Sequence, residues 1–265
     1  MSNGEEICYI YSRNKQEGFM FYLGGIDITY IIFVLPAAIL SLVASAMVKS
    51  RFARYNKVAT SKGITGAQAA QILMRANGID DVKITHISGQ LTDNYNPSSK
   101  TLNLSDATYS STSIAAVGVA AHETGHAIQH KVGYGPLKLR STLVPVANIG
   151  SRFGPVLAIA GIAFGASSQA SEYISILQLV TDIGLILFAA SVLFYLVTLP
   201  VEFDASRRAL KILKETGVFT ENEEISGARR VLTAAAMTYV ASALTAIGSF
   251  LRLLVLTNNR NNRRR

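Results

Sequence analysis

The residues with the plainest chemical capacity are His122, Glu123 and His126, in the run His122-Glu123-Thr124-Gly125-His126. On a helix, imidazoles four residues apart project from one face a turn apart, so both reach a single Zn²⁺ at about 2.0–2.1 Å. Glu123 points toward where a water on that ion would sit and can take its proton, because zinc lowers the pKa of such a water toward about 7. The chain has four histidines, and two fall at this spacing on a segment otherwise rich in Ala and Val. A buried His-Glu-His cluster with no metal would leave polar groups unpaired at considerable cost. The spacing therefore predicts a zinc site with a general base beside it.

Two imidazoles leave catalytic zinc one protein ligand short. A metzincin would place a third histidine six residues beyond His126, where this chain has Val132. His130 lies a further turn along the helix, too far from His122 to share an ion, and reads as a surface residue or a support for the ligands. His86, in a predicted strand, reads as structural. The remaining ligand type is a carboxylate on a second helix. Glu202, in Leu199-Pro200-Val201-Glu202-Phe203-Asp204-Ala205-Ser206, is the best candidate and Asp204 its competitor. Two residues apart on a helix they are turned by about 200°, so both cannot face one ion. Tyr95, Tyr109, Tyr134 and Arg207 stand as open candidates for an oxyanion donor. The single Cys8 excludes a disulfide framework and a Cys-rich zinc knuckle.

The elements that must position these groups include membrane helices. Ile28 to Val48 is about twenty residues without a charge, enough to cross about 30 Å of hydrocarbon, with Pro36 as a predicted kink. Ala44-Ser45-Ala46 resembles a signal cleavage site, but a signal carries positive charge before its apolar core. Here Glu5, Glu6, Glu17 and Asp27 dominate the leader. Lys49, Arg51, Arg54 and Lys57 follow the segment and mark its cytoplasmic end. Further apolar stretches lie near 143–166, 177–201 and 234–256. The third of these ends in an arginine tail that conflicts with a full crossing under the positive-inside tendency, so it is read as either a span or an interfacial helix. The net charge of +8 flanks the apolar segments and faces lipid, and no basic-aromatic platform suggests nucleic acid.

Between the first and second spans a small α+β unit is expected. Thr65 and Gln68 have capping-box spacing, with Gly78 ending the helix. Val82 to Ser88 and Thr101 to Leu104 read as extended runs, and the helix from about Ser113 to Gln129 carries the histidines.

The chain resembles the membrane-bound neutral zinc metallopeptidases of bacteria, the YugP family, within the gluzincin group. The resemblance rests on Ala120-Ala121-His122-Glu123-Thr124-Gly125-His126-Ala127-Ile128-Gln129-His130, on Leu143-Val144-Pro145-Val146-Ala147-Asn148-Ile149-Gly150-Ser151 and on the Glu202 segment. It implies a zinc endopeptidase in the bacterial plasma membrane, its site facing the cytoplasm, acting on protein or peptide substrates near the bilayer. The order of parts is also similar to membrane proteases of the HtpX and CAAX-processing type. Those carry an aspartate four residues after the ligand glutamate, where this chain has Ser206, so the partner of His122 is open. Where family members read Asp-His-Tyr-Asp-Pro, this chain reads Asp93-Asn94-Tyr95-Asn96-Pro97.

The expected fold is a mostly α-helical integral membrane protein, with three to four membrane helices and a small α+β zincin-like cytoplasmic domain. Residues 1–27 are expected outside, 28–48 as the first span and 49–142 as the cytoplasmic domain. A membrane hairpin over 143–201 and a cytoplasmic helix bearing the third ligand over 202–232 follow. A fourth membrane or interfacial helix over 233–257 and a basic tail over 258–265 complete the order. The reading from another class is a non-proteolytic membrane scaffold that keeps a structural zinc; oligomeric state is left open.

Overall fold

A computed structural model of the chain describes residues 22–23, 26–167 and 171–262. Cys8 and most of the expected outer segment 1–27 lie outside these residues, as do Arg263 to Arg265. Strands β1 (Tyr22–Leu23) and β2 (Ile26–Asp27) pair antiparallel ahead of helices α1 (Ile28–Phe33) and α2 (Leu35–Tyr55). The two helices are one apolar rod broken at Val34. Pro36 lacks an N–H and its ring crowds the preceding turn, so the break falls where the predicted kink was placed.

The next segment is the expected α+β unit. Helix α3 (Gly66–Ala76) opens with the predicted capping box, the Thr65 hydroxyl accepting from Gln68 N and the Gln68 side chain from Thr65 N. Strands β3 (Lys83–Ile87), β4 (Asn94–Asn96) and β5 (Thr101–Ser105) form a sheet of order β3-β5-β4, parallel in the first pair and antiparallel in the second. β4 is additional to the two extended runs expected. Helix α4 (Ile114–Lys131) is capped by Ser113, whose hydroxyl accepts from Ala116 N.

Three long helices follow, α5 (Gly135–Ser167), α6 (Ser171–Glu215) and α7 (Asn222–Asn262). With α1–α2 they make four helices long and apolar enough to cross a membrane. Their outward faces are apolar, with Leu42 73% and Ile186 70% exposed, which suits contact with lipid rather than water. α5 and α6 pack as a tight hairpin. A Cβ at Gly150 would lie 2.0 Å from the carbonyl oxygen of Leu187, so only glycine permits this approach.

One expected boundary is corrected. Residues 202–232 are not one helix: α6 runs unbroken through Glu202 to Glu215, and a turn then leads into α7. Gly217 (φ +65) ends α6 in the left-handed conformation, and Glu224 Oε2 accepts from the backbone N–H of Thr220 and Glu221 to start α7. Leu213, Phe219, Val231 and Leu232 share one core with Leu73, Leu102, Leu104 and Val117. The α+β unit is thus closed by the ends of α6 and α7, which fixes α4 against α6.

Candidate metal centre

His122 and His126 stand on the face of α4 that meets α6. Gly125, between them, makes the approach possible: a Cβ there would lie 2.5 Å from the carbonyl oxygen of Ala205. Opposite them Glu202, 1% exposed, points its Oε2 at His122 Nε2 (3.3 Å) and at His126 Nε2 (3.6 Å). One ligand atom from each residue lies within 4.8 Å of the others, and this is the one group of three or more such ligands among the described residues. Tetrahedral bonds of about 2.0–2.1 Å place ligand atoms about 3.3–3.5 Å apart, close to the two separations from Glu202 Oε2.

The hydrogen bonds around the three residues suit a cation. Gln129, fully buried three residues after His126, donates its Nε2 to Val201 O (2.8 Å) and to Asp204 Oδ2 (2.9 Å). Both partners are pure acceptors, so the amide orientation is determined and Gln129 Oε1 must accept from His126 Nδ1 (3.0 Å). In the neutral imidazole His126 Nε2 therefore turns a lone pair toward the Glu202 carboxylate. Two lone pairs facing each other in a buried site are unfavourable unless a cation lies between them. Glu202 Oε1 is buried with no hydrogen bond, although Arg140 Nη1 lies 3.1 Å away as a charge partner. Burial opposes protonation of His126, but Glu202, Glu123 and Gln129 outweigh it and raise its pKa, another sign that this site favours positive charge.

Ser206 occupies the position where related proteases carry an aspartate, and its hydroxyl lies 3.1 Å from His122 Nδ1. The open partner of His122 is thus found, as a neutral hydroxyl. Asp204 turns away from the ligand cluster and binds Gln129 and Arg208 instead, the latter at 2.6 Å. His130 accepts or donates at Tyr95 Oη (2.8 Å) and is exposed, while His86 pairs with Asp106 (2.7 Å); neither joins the ligands. Asn96 Oδ1 accepts from Ser98 N and Ser99 N, a role that needs an acceptor and no charge, and Asn94 is tied to Asn103.

Glu123, 9% exposed, opens with His122 onto a cleft of about 330 Å³. Lys49 and Phe52 of α2 form one wall, Leu232 and Tyr239 of α7 the other, and Asp93 lies on the rim. Burial pushes the Glu123 carboxyl above its usual range, opposed in part by His122 and His126. None of the four open oxyanion candidates lines this cleft: Tyr95 is taken by His130, Tyr109 packs on His86, Tyr134 lies beneath Arg208 and Arg207 faces a separate groove. Tyr239 does line it, from a helix about 115 residues away in sequence, and no spacing rule points to it.

Four helices long and apolar enough to cross a membrane, joined to a His122/His126/Glu202 group that could hold a metal, fit a membrane-associated zinc-peptidase class. The family described as "Putative neutral zinc metallopeptidase" matches residues 30–258, and the chain belongs to it. It is 42% identical over 230 residues to "Putative membrane protease YugP" of Bacillus subtilis (strain 168), covering 87% of this chain and 97% of that protein. No solved structure matches the chain.

Proposed function

We propose that the chain is a zinc endopeptidase of the plasma membrane that hydrolyses peptide bonds at the cytoplasmic face, with His122, His126 and Glu202 holding the metal. The observation that carries this reading is the convergence of Glu202 Oε2 on both Nε2 atoms beside a cleft that Glu123 enters. Bound zinc would supply a Lewis acid that activates water and polarises the scissile carbonyl. Gln129 and Ser206 hold the two imidazoles in the orientation that leaves Nε2 free. Glu123 takes the proton from the attacking water and passes it to the leaving amine, and its burial suits a group that must do both. Because α2 and α7 wall the cleft, the favoured substrates are membrane proteins or segments near the bilayer.

Purified protein should hold about one zinc per chain, the stoichiometry of one three-ligand site. Glu123→Gln should keep the metal while hydrolysis falls by about 10²–10⁴-fold. Glu202→Ala should lose both, whereas Asp204→Ala and His130→Ala should keep most of the metal. Wild-type cleavage by Glu123→Gln would overturn the mechanism, and zinc retained in Glu202→Ala but lost in Asp204→Ala would overturn the ligand set. A chain that holds zinc and cleaves neither soluble nor membrane substrates would be a scaffold.

A further inference from the structure

A groove of about 680 Å³ runs between the end of α6 and the start of α7, bordering the candidate metal centre at Ser206. At one end it gathers Arg207, Lys211, Lys214 and Arg229, with Glu221 as the acidic side chain among its lining residues. Lys211 is paired with Glu215 at 3.7 Å. Among the described residues, Arg207, Lys214 and Arg229 have no carboxylate partner in an ion pair, and all three are exposed. The other end is different. Phe203, 44% exposed, and Ala236 line it where the apolar runs of the two helices begin.

A groove that is cationic at its polar end and apolar where the helices enter the bilayer has the shape of an amphiphile. We propose that it binds an anionic phospholipid, the phosphate held by Arg207, Lys214 and Arg229 and an acyl chain lying against Phe203. Unpaired cations at a water-facing surface attract any anion, and the exposed phenylalanine in the same groove adds an apolar surface that an acyl chain would cover and a soluble anion would not. Basic pockets between membrane helices take lipid headgroups for this reason. The volume suits a headgroup and the first part of one chain rather than a whole lipid. Neither Glu123 nor the three proposed ligands line the groove, although it shares Leu232 with the cleft, so the inference does not depend on the proposed peptidase activity.

Full-length protein in detergent, titrated with phosphatidylglycerol or phosphatidylcholine and observed by native mass spectrometry, tests this. The expected result is one tightly held phosphatidylglycerol per chain, favoured over phosphatidylcholine on the order of tenfold. Arg207→Gln/Lys214→Gln/Arg229→Gln should bring that preference to about unity. Lys57→Gln/Arg75→Gln/Lys83→Gln, which removes the same charge elsewhere, should leave it unchanged. Unfolding of the first triple variant would be visible in its circular dichroism, and Arg229→Gln alone should then still weaken the adduct. No preference in the wild-type protein, or equal loss in both triple variants, would overturn the proposal. So would groove-dependent binding of a hexaglutamate peptide with no lipid preference, which would give the groove to an acidic chain.

Discussion

At the scale of single residues, the proposed metal centre depends on two side chains outside the ligand set. Gln129 fixes the tautomer of His126, and Ser206 meets His122 through a neutral hydroxyl. Partners of this kind typically account for 10- to 100-fold in metal affinity. Gln129→Leu and Ser206→Ala should each weaken zinc by about that factor in competition with a chelator. Ser206→Asp should not weaken it, since a carboxylate accepts from Nδ1–H at least as well. The grouping of His122, His126 and Glu202 was legible because the H-E-x-x-H spacing and the need for a carboxylate on a second helix point to it. Gln129 carried a readable signal too, since three residues after His126 on a helix is the same face. Arg140 and Tyr239 carried none, because nothing local ties them to residues distant in sequence.

At the scale of elements, the docking of α4 on α6 is what brings imidazole to carboxylate. Gly125→Ala would drive a Cβ to 2.5 Å from Ala205 O, so the helices must part. A loss of about 1–3 kcal/mol in unfolding free energy should accompany a drop in zinc content. Gly135→Ala, with nothing within 4 Å, serves as the control and should change neither. The apolar segments, the capping box at Thr65 and the helix over 114–131 follow from local pattern and were readable. The expected helix over 202–232 is divided in the structure at a stop signal that the sequence carried. Thr216-Gly217 followed by Thr220, Asn222 and Glu224 spells the end of one helix and the start of another. β4 was hidden in a run rich in turn residues, where only pairing with β5 makes the backbone extended.

At the scale of the whole molecule, sidedness is the property that ties the site to its substrates. In the proposed orientation, Lys49, Arg51, Arg54 and Lys57 after the first apolar helix keep the α+β unit in the cytoplasm and residue 8 outside. A membrane-impermeant maleimide should therefore label Cys8 on intact cells, and labelling only after permeabilisation would invert the orientation. The placement of the ligands has a further result for biogenesis. His122 and His126 emerge from the ribosome before the α5–α6 hairpin, and Glu202 only after it. In that orientation the proposed third ligand reaches the other two only once the intervening chain has gone out and come back. A retained ion is a certificate of threading: chains made in a cell-free system with lipid vesicles should keep zinc through a chelator wash, and chains made without vesicles should surrender it.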